Sequence, residues 1–277
     1  MKFALWLSCI VSINVFSISK PSNILKPVKI TVIIPSYNNE KWYRGNLDSI
    51  LKQEYDNFEV IYINDCSTDN TQVLVEEYIK QSTNKHRIKL INNPSRKGAL
   101  NNLYDAIHSC PDNEVIVTVD GDDMLSSAKV LDRIAQEYSD GITWLTYGQY
   151  VTYPGKLLGC CEDFPESVYK NNAFRACSWR SSHLRTFYAG LFKHIKKEDL
   201  LYKNKFFPMA WDLAFMFPML EMSSKGHFKY IKDILYVYNQ NNPLNDFRVD
   251  NKQQLYLEHI IRSKKPYVPL DTLKFLQ

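Results

Sequence analysis

Hydrophobic and polar positions along the chain alternate between two rhythms. Runs of β-prone apolar residues at 30–34, 58–63, 88–91 and 115–119 read as strands, and those at 30–34 and 115–119, which carry no charge, as strands buried on both faces. Between and after them, apolar residues recur at spacings of three and four. The sets are Trp42, Leu47, Ile50 and Leu51; Val73, Leu74, Val75, Tyr78 and Ile79; Leu100, Leu103, Ala106 and Ile107; and Val130, Leu131, Ile134 and Tyr138. That spacing predicts helices with one apolar face. Strands and helices in alternation predict an α/β fold with a doubly wound, mostly parallel sheet. Pro35 has no N–H for a ladder, so the first strand is expected to stop there.

Beyond Ile142 the rhythm changes. Short aromatic segments at 142–147 and 150–153 precede a loop with Gly and Cys, and helix-like patterns return at 184–195, 212–222 and 252–262. No linker divides the chain, so 27–277 reads as one domain with halves 27–140 and 141–277. Residues 1–26 stand apart. A basic start at Lys2, an apolar run over 3–18 and small residues at Ser17 and Ser19 fit a cleavable secretory signal. The run is shorter than the ~20 apolar residues of a usual span. An uncleaved anchor flanked by Lys20, Lys26 and Lys29 is the other reading. Either places the chain in a secretory lumen or at a membrane, with the cytoplasm as the alternative.

Composition narrows the classes. Of 277 residues 45% are hydrophobic, with 18 Tyr and 14 Phe, which fits a filled core and excludes disorder. The net charge of +4 suits anionic ligands or a membrane face and is too weak for nucleic acid. Cys9 lies in the leader, leaving Cys66, Cys110, Cys160, Cys161 and Cys177. That set is no disulfide framework, though one bridge from Cys160 or Cys161 to Cys177 stays open.

The candidate chemistry starts where the 115–119 strand stops, on Asp120, Gly121, Asp122 and Asp123. Three carboxylates in four residues repel one another, and a hard divalent cation, Mn²⁺ or Mg²⁺, relieves the repulsion. Gly121 allows a sharp turn and keeps bulk away from whatever binds. The carboxyl ends of strands in an open α/β sheet are where ligands sit. A solvated turn capping a helix is the plainer alternative.

Three strand ends taken together resemble the inverting family 2 glycosyltransferases of the GT-A fold. They are Ile33-Ile34-Pro35-Ser36-Tyr37-Asn38, Asn64-Asp65-Cys66-Ser67-Thr68-Asp69-Asn70-Thr71, and Asp120-Gly121-Asp122-Asp123. The resemblance covers roughly residues 29–240. It implies a transferase that moves a sugar from a nucleoside-diphosphate sugar to a hydroxyl of a glycan, lipid or protein acceptor, with 27–140 binding the donor and 141–277 the acceptor. It further implies that Pro35, Ser36 and Tyr37 line the nucleotide pocket and that Asp65 reads the base or ribose. Asp120 would contact the donor or support the turn, Asp122 would touch ribose or metal, and Asp123 would ligate the metal. The family's acidic pair ahead of a helix matches Trp211-Asp212, which makes Asp212 the general base. Three positions depart from the pattern: Asn64 and Trp211 replace acids, and Cys66 replaces a Gly.

Arg96, Lys97 and Gly98 open a helix, a natural place for a nucleotide phosphate or a base edge. Arg185 could clamp a phosphate bidentately, and His183 could touch the acceptor or complete a metal shell. The stretch 236–243 resembles a loop that closes over donor. Asn64, Cys66 and Trp211 also motivate a second reading, a transferase-like protein that binds glycan or nucleotide without turnover. A dinucleotide oxidoreductase ranks low, because the turn after the first strand lacks Gly-x-Gly-x-x-Gly.

Overall fold

The computed structural model describes residues 27–276; the leader expected at 1–26 lies outside them. The alternating half is β1 (Ile30–Ser36), α1 (Tyr43–Leu51), β2 (Phe58–Asn64), α2 (Thr71–Gln81), β3 (Ile88–Asn92), α3 (Ala99–Ser109), β4 (Val115–Thr118), β5 (Met124–Leu125) and α4 (Val130–Tyr138). The second half adds β6 (Leu145–Tyr153), α5 (Glu166–Lys170), β7 (Arg185–Tyr188), α6 (Ala189–Lys193), β8 (Leu201–Tyr202), β9 (Lys205–Phe206), α7 (Trp211–Met222), β10 (Phe228–Asn239), α8 (Asp246–Val249) and α9 (Asn251–Ser263).

One sheet of order β3-β2-β1-β4-β7-β6-β10-β5 runs through both halves. β1 pairs in parallel with β2 and β4, and β2 with β3, as expected for buried runs without alternation. β7 is antiparallel to both β4 and β6, and β6 is again parallel to β10. The order reverses at β1, since β2 lies on one side of it and β4 on the other. Such a switch point opens a crevice at the strands' carboxyl ends, and there the tails of β1 and β4 meet.

Three expectations need correction. β1 continues through Pro35 to Ser36, pairing Pro35 with Ile63 and Ser36 with Asn64. The Pro35 carbonyl accepts from the Gly121 N–H at 3.2 Å, so the missing N–H faces the side where β4 has ended and costs no ladder bond. The two aromatic segments of 142–153 form one strand. The helix-like stretch at 184–195 splits into β7 and α6, because burial of every residue from Arg185 to Phe192 leaves no polar face to reveal a period. The open disulfide is also decided: Cys160, Cys161 and Cys177 carry free thiols.

α7 is apolar all round, and every residue from Leu213 to Met222 is buried. It touches α3, α6 and α9, and its Glu221 accepts from Arg175 at 2.5 and 3.0 Å. A helix clamped on several sides holds its first turn rigidly beside the crevice. The residue before it, Ala210, has φ 52°, a left-handed conformation costly for a residue with a Cβ.

Candidate active site

The β1 tail is held from both neighbours. Ser36 Oγ accepts from the Tyr62 hydroxyl at 2.7 Å and the Asn39 amide at 2.9 Å, and its carbonyl accepts from the Asp65 N–H at 2.8 Å. The Ser36 side chain is therefore used in building the wall, while Pro35 and Tyr37 face a cavity of about 260 Å³. Gly121 sits against this wall. A Cβ on it would come within 2.5 Å of Asn39 Nδ2 and 2.8 Å of Ser36, so the glycine serves close approach of the chain to itself. Gly121→Ala should destabilise the fold by about 1–3 kcal/mol, the usual cost of overpacking, which a urea melt reads directly.

The β2 tail carries Asp65. Its Oδ1 accepts from Asn93 Nδ2 at 2.8 Å and the Lys97 N–H at 2.9 Å, and its Oδ2 from the Gly98 N–H at 2.8 Å. Burial pushes this carboxyl up, but the hydrogen bonds from the 93–98 loop and α3 outweigh it and hold Asp65 below the usual range. Asp65 thus shapes a recess of about 100 Å³ shared with Ser36, Arg96 and Asn102. Asn64 donates to Asn92 Oδ1 and accepts from the Ser67 N–H, so it closes the turn where an acid was expected. Cys66 has φ 58°, a conformation glycine adopts freely, which explains what its replacement costs.

Lys97 lies beside this recess. Its ammonium is 2.9 Å from Asp105, and it serves the site through its N–H. The neighbouring Arg96 faces the cavity, with its guanidinium 3.7 Å from the centre of the Tyr37 ring.

At the end of β4 the acids separate. Asp123 is fully buried, with Oδ2 accepting from the Tyr236 hydroxyl at 2.7 Å and Oδ1 from the Asn239 N–H at 2.6 Å. Asp122 faces the cavity and accepts from Asn242 at 2.7 Å. Ligand atoms of Asp120, Asp123 and His183 lie within 4.8 Å of one another. The expected pair was Asp122 with Asp123; the atoms that come together as possible ligands are those of Asp120, Asp123 and His183, while Asp122 faces the cavity beside them. His183 Nδ1 is buried without a hydrogen-bond partner. Burial, then the Arg185 charge, holds this imidazole well below its ordinary range and hence neutral. Its ring stacks on Tyr236 at 4.4 Å. Two carboxylates and an unpartnered neutral imidazole fit a divalent cation.

The Arg185 guanidinium is buried and lines the cavity, with Nη1 3.2 Å from Asp212 and Nη2 3.8 Å from Asp120, so it bridges two acids. One cation does not balance the group. Burial raises Asp120, Arg185 pulls it down, Asp122 and Asp212 push it up again, and it settles at about 6. Burial and then Asp122 and Asp120 push Asp123 well above the carboxylate range. Asp212 lies in the first turn of α7 and lines the cavity. Burial raises it, against Arg185 and the N–H groups of Leu213 and Asp212 itself. Trp211 beside it lies under Arg185, 5.5 Å from ring centre to guanidinium.

Several participants left no readable signal in the sequence. Asp246 lines the cavity, and burial followed by Asp212 and Asp120 lifts it to about 7, against Arg96. A single Asp in a polar run marks nothing. Tyr236, Asn239 and Asn242 belong to the flagged 236–243 stretch, but their hold on Asp123 and Asp122 comes from more than 110 residues away in sequence.

Comparison with known proteins bears on the family and the fold. An Escherichia coli protein named UDP-Glc:alpha-D-GlcNAc-diphosphoundecaprenol beta-1,3-glucosyltransferase WfgD is 32% identical over 148 residues, 53% of this chain and 56% of its own length. The chain therefore covers less than two thirds of that relative. The structure of Staphylococcus aureus TarS 1–349 in complex with UDP-GlcNAc has a TM-score of 0.57 at 22% identity, over 78% of this chain and 59% of that one. The mannosyltransferase PcManGT from Pyrobaculum calidifontis, in complex with GDP-Man and Mn²⁺, gives 0.56 at 19% identity over 86% and 66%. At those identities the likeness is one of fold. The model of the family described as glycosyl transferase family 2 matches residues 31–193, more than half the chain. The chain belongs to glycosyl transferase family 2.

Proposed function

We propose that the enzyme is a metal-dependent, inverting glycosyltransferase that moves a sugar from a nucleoside-diphosphate sugar to an acceptor hydroxyl. The observation that carries this reading is the cavity itself. Its walls hold acids without enough cations on the β4 side, and a separate carboxylate, Asp212, at the start of α7. Asp120, Asp123 and His183 would hold Mn²⁺ or Mg²⁺, which when bound offsets the charge developing on a leaving diphosphate. Pro35, Tyr37 and the recess at Asp65 would receive the nucleoside. Asp212 Oδ2 would take the acceptor proton, with Arg185 fixing the carboxylate and Trp211 walling the sugar. Hydrolysis of UDP-, GDP- and TDP-sugars, each with Mn²⁺, Mg²⁺ or chelator, tests the reading; no metal-stimulated turnover of any donor would overturn it.

Asp65 should act on donor binding. Asp65→Asn turns an amide toward the loop N–H groups and loosens 93–98, so the donor KM should rise about tenfold with kcat nearly unchanged. The wild-type carboxyl is held low in the fold, so its stabilisation is present above the ordinary value near 4 and is lost as pH falls through the lowered one. Acid melts of the variant should lack that part of the loss. An unchanged donor KM would move nucleotide recognition elsewhere.

We propose that residues 1–26 act as a leader directing the protein to a secretory lumen or a membrane, with the cytoplasm as the alternative. No helix among the described residues is long and apolar enough to cross a membrane. A mature N-terminus near Lys20 would favour cleavage over anchoring.

A further inference from the structure

We infer that Cys160 and Cys161 form a thiol redox site, oxidised by a low-molecular-weight disulfide to a vicinal disulfide and coupled through His183 and Tyr150 to the acidic cluster. The oxidation is independent of the glycosyl-transfer reading; its effect on a divalent cation rests on that reading and extends it.

A backward turn builds the site. After β6 the chain reverses over 154–156 and runs 157–159 against the strand. The Thr152 N–H donates to the Leu157 carbonyl at 2.9 Å, and the Gly159 N–H to the Tyr150 carbonyl at 2.8 Å. Gly159 lies flat on the Tyr150 ring, where a Cβ would come within 2.3 Å of a ring carbon. Cys160 follows, exposed, with Sγ 3.8 Å from the Tyr150 hydroxyl. Cys161 is buried, and its carbonyl accepts from Gln149 Nε2 and the Tyr230 hydroxyl, both at 2.9 Å. Its thiol donates to the His183 carbonyl at 3.6 Å.

An outer thiol beside an inner one suits an attacking and a resolving cysteine. The Cys161 thiol first, and the Tyr150 hydroxyl after it, hold Cys160 below the ordinary thiol range against partial desolvation. The thiolate is the form that attacks a disulfide. Attack by Cys160 on one sulfur forms a mixed disulfide and expels one thiolate, which takes a proton. Cys161 then loses its proton to solvent and attacks the Cys160 sulfur. The vicinal S–S bond forms, and the second thiolate leaves and is protonated. Two protein thiols are oxidised, and one disulfide is reduced to two thiols.

The coupling follows from what the pair gives up. Cys161 no longer has an S–H for the His183 carbonyl. Cys160 exchanges its contact with the Tyr150 hydroxyl for a bond to Cys161. The Tyr150 ring stands edge-on to His183 at 5.6 Å and to Tyr238 at 5.8 Å, so His183 is disturbed from its backbone and from its ring. Among Asp120, Asp123 and His183, the imidazole is the neutral member, and groups that only support a metal ligand typically change affinity by about 10–100-fold.

The test equilibrates the full chain with glutathione disulfide and maps the acid-quenched peptides by mass spectrometry. Mn²⁺ binding to the same samples is read by electron paramagnetic resonance. The peptide holding both cysteines should lose two hydrogens, and the Mn²⁺ Kd should rise about tenfold and return with dithiothreitol. Cys160→Ser, at an exposed position, should abolish both changes while binding Mn²⁺ as the reduced wild type does. Cys161→Ser keeps a hydroxyl for the His183 carbonyl and should stop at the glutathione adduct on Cys160. A wild-type adduct that never closes, a bridge to Cys177, or equal Mn²⁺ affinity before and after oxidation would each overturn the inference. Equal affinity, with Mn²⁺ bound in both states, removes the redox coupling and leaves the transferase. Reduced protein that takes up no Mn²⁺ would overturn the cation reading and the coupling together.

Discussion

Asp212→Asn should lower kcat by roughly 10²–10⁴-fold, the usual worth of a general base, while the protein still folds and still binds donor. In an inverting displacement the acceptor hydroxyl attacks from the face opposite the leaving diphosphate, and its proton must go to a group on that face. Asp212 faces the cavity, and Arg185 Nη1 fixes its Oδ2 at 3.2 Å. Burial raises this carboxyl above the ordinary range, which makes it a better proton acceptor once ionised. Asparagine keeps the size and one oxygen, and Asp120 remains to hold Arg185. Asp212 lies within the first turn of α7, after the N-cap at Ala210, so the loss should fall on turnover and not on capping. The measurement is kcat and donor Kd side by side, with the product anomer identified. Near-normal kcat would shift the role to Asp246, the next carboxylate in the cavity. A product retaining the donor configuration would end the inverting mechanism.

Asp123→Asn should weaken divalent-cation binding by more than about 100-fold, beyond the 10–100-fold typical of groups that only support a ligand. The substitution removes a charge from the cluster and can keep an acceptor for Tyr236 or Asn239, whose bonds Asp123 now satisfies. A readout independent of turnover follows from the raised carboxyls. Asp120, at about 6 in the fold, binds protons there at a pH where the unfolded chain has released them. Its contribution is therefore favourable below the ordinary value near 4 and is lost as pH rises through 6. The metal-free protein should lose stability over that interval, and Mn²⁺ should restore it most at the upper end. Thermal melts from pH 4 to 7.5 with and without Mn²⁺ would show both. Melts insensitive to Mn²⁺ in the wild type, or Mn²⁺ dependence unaltered in Asp123→Asn, would remove the cation from this site.

The sequence by itself determined the alternating half of the fold and the neighbourhood of the site. Short β-rich apolar runs bounded by capping and turn residues read as strands, and those residues mark where they end, so Pro35, Asp65 and Asp120 stood out as strand-end positions. Asp212 was legible through its place before an apolar helix in a familiar pattern. What each side chain then does was decided by partners far away in the chain. Asp122 and Asp123 are adjacent, yet only the tertiary structure turns one to Asn242 and buries the other under Tyr236 and Asn239. Arg185 reads as a free clamp until the fold places Asp120 and Asp212 on either side of it. Nor does the sequence show that Asp105 lies 2.9 Å from the Lys97 ammonium. β7 was invisible as a strand because a segment buried on all sides has no polar face, and periodicity is a record of one-sided burial. The sequence specifies local backbone and burial; electrostatic partnership depends on distances of a few ångströms that only packing fixes.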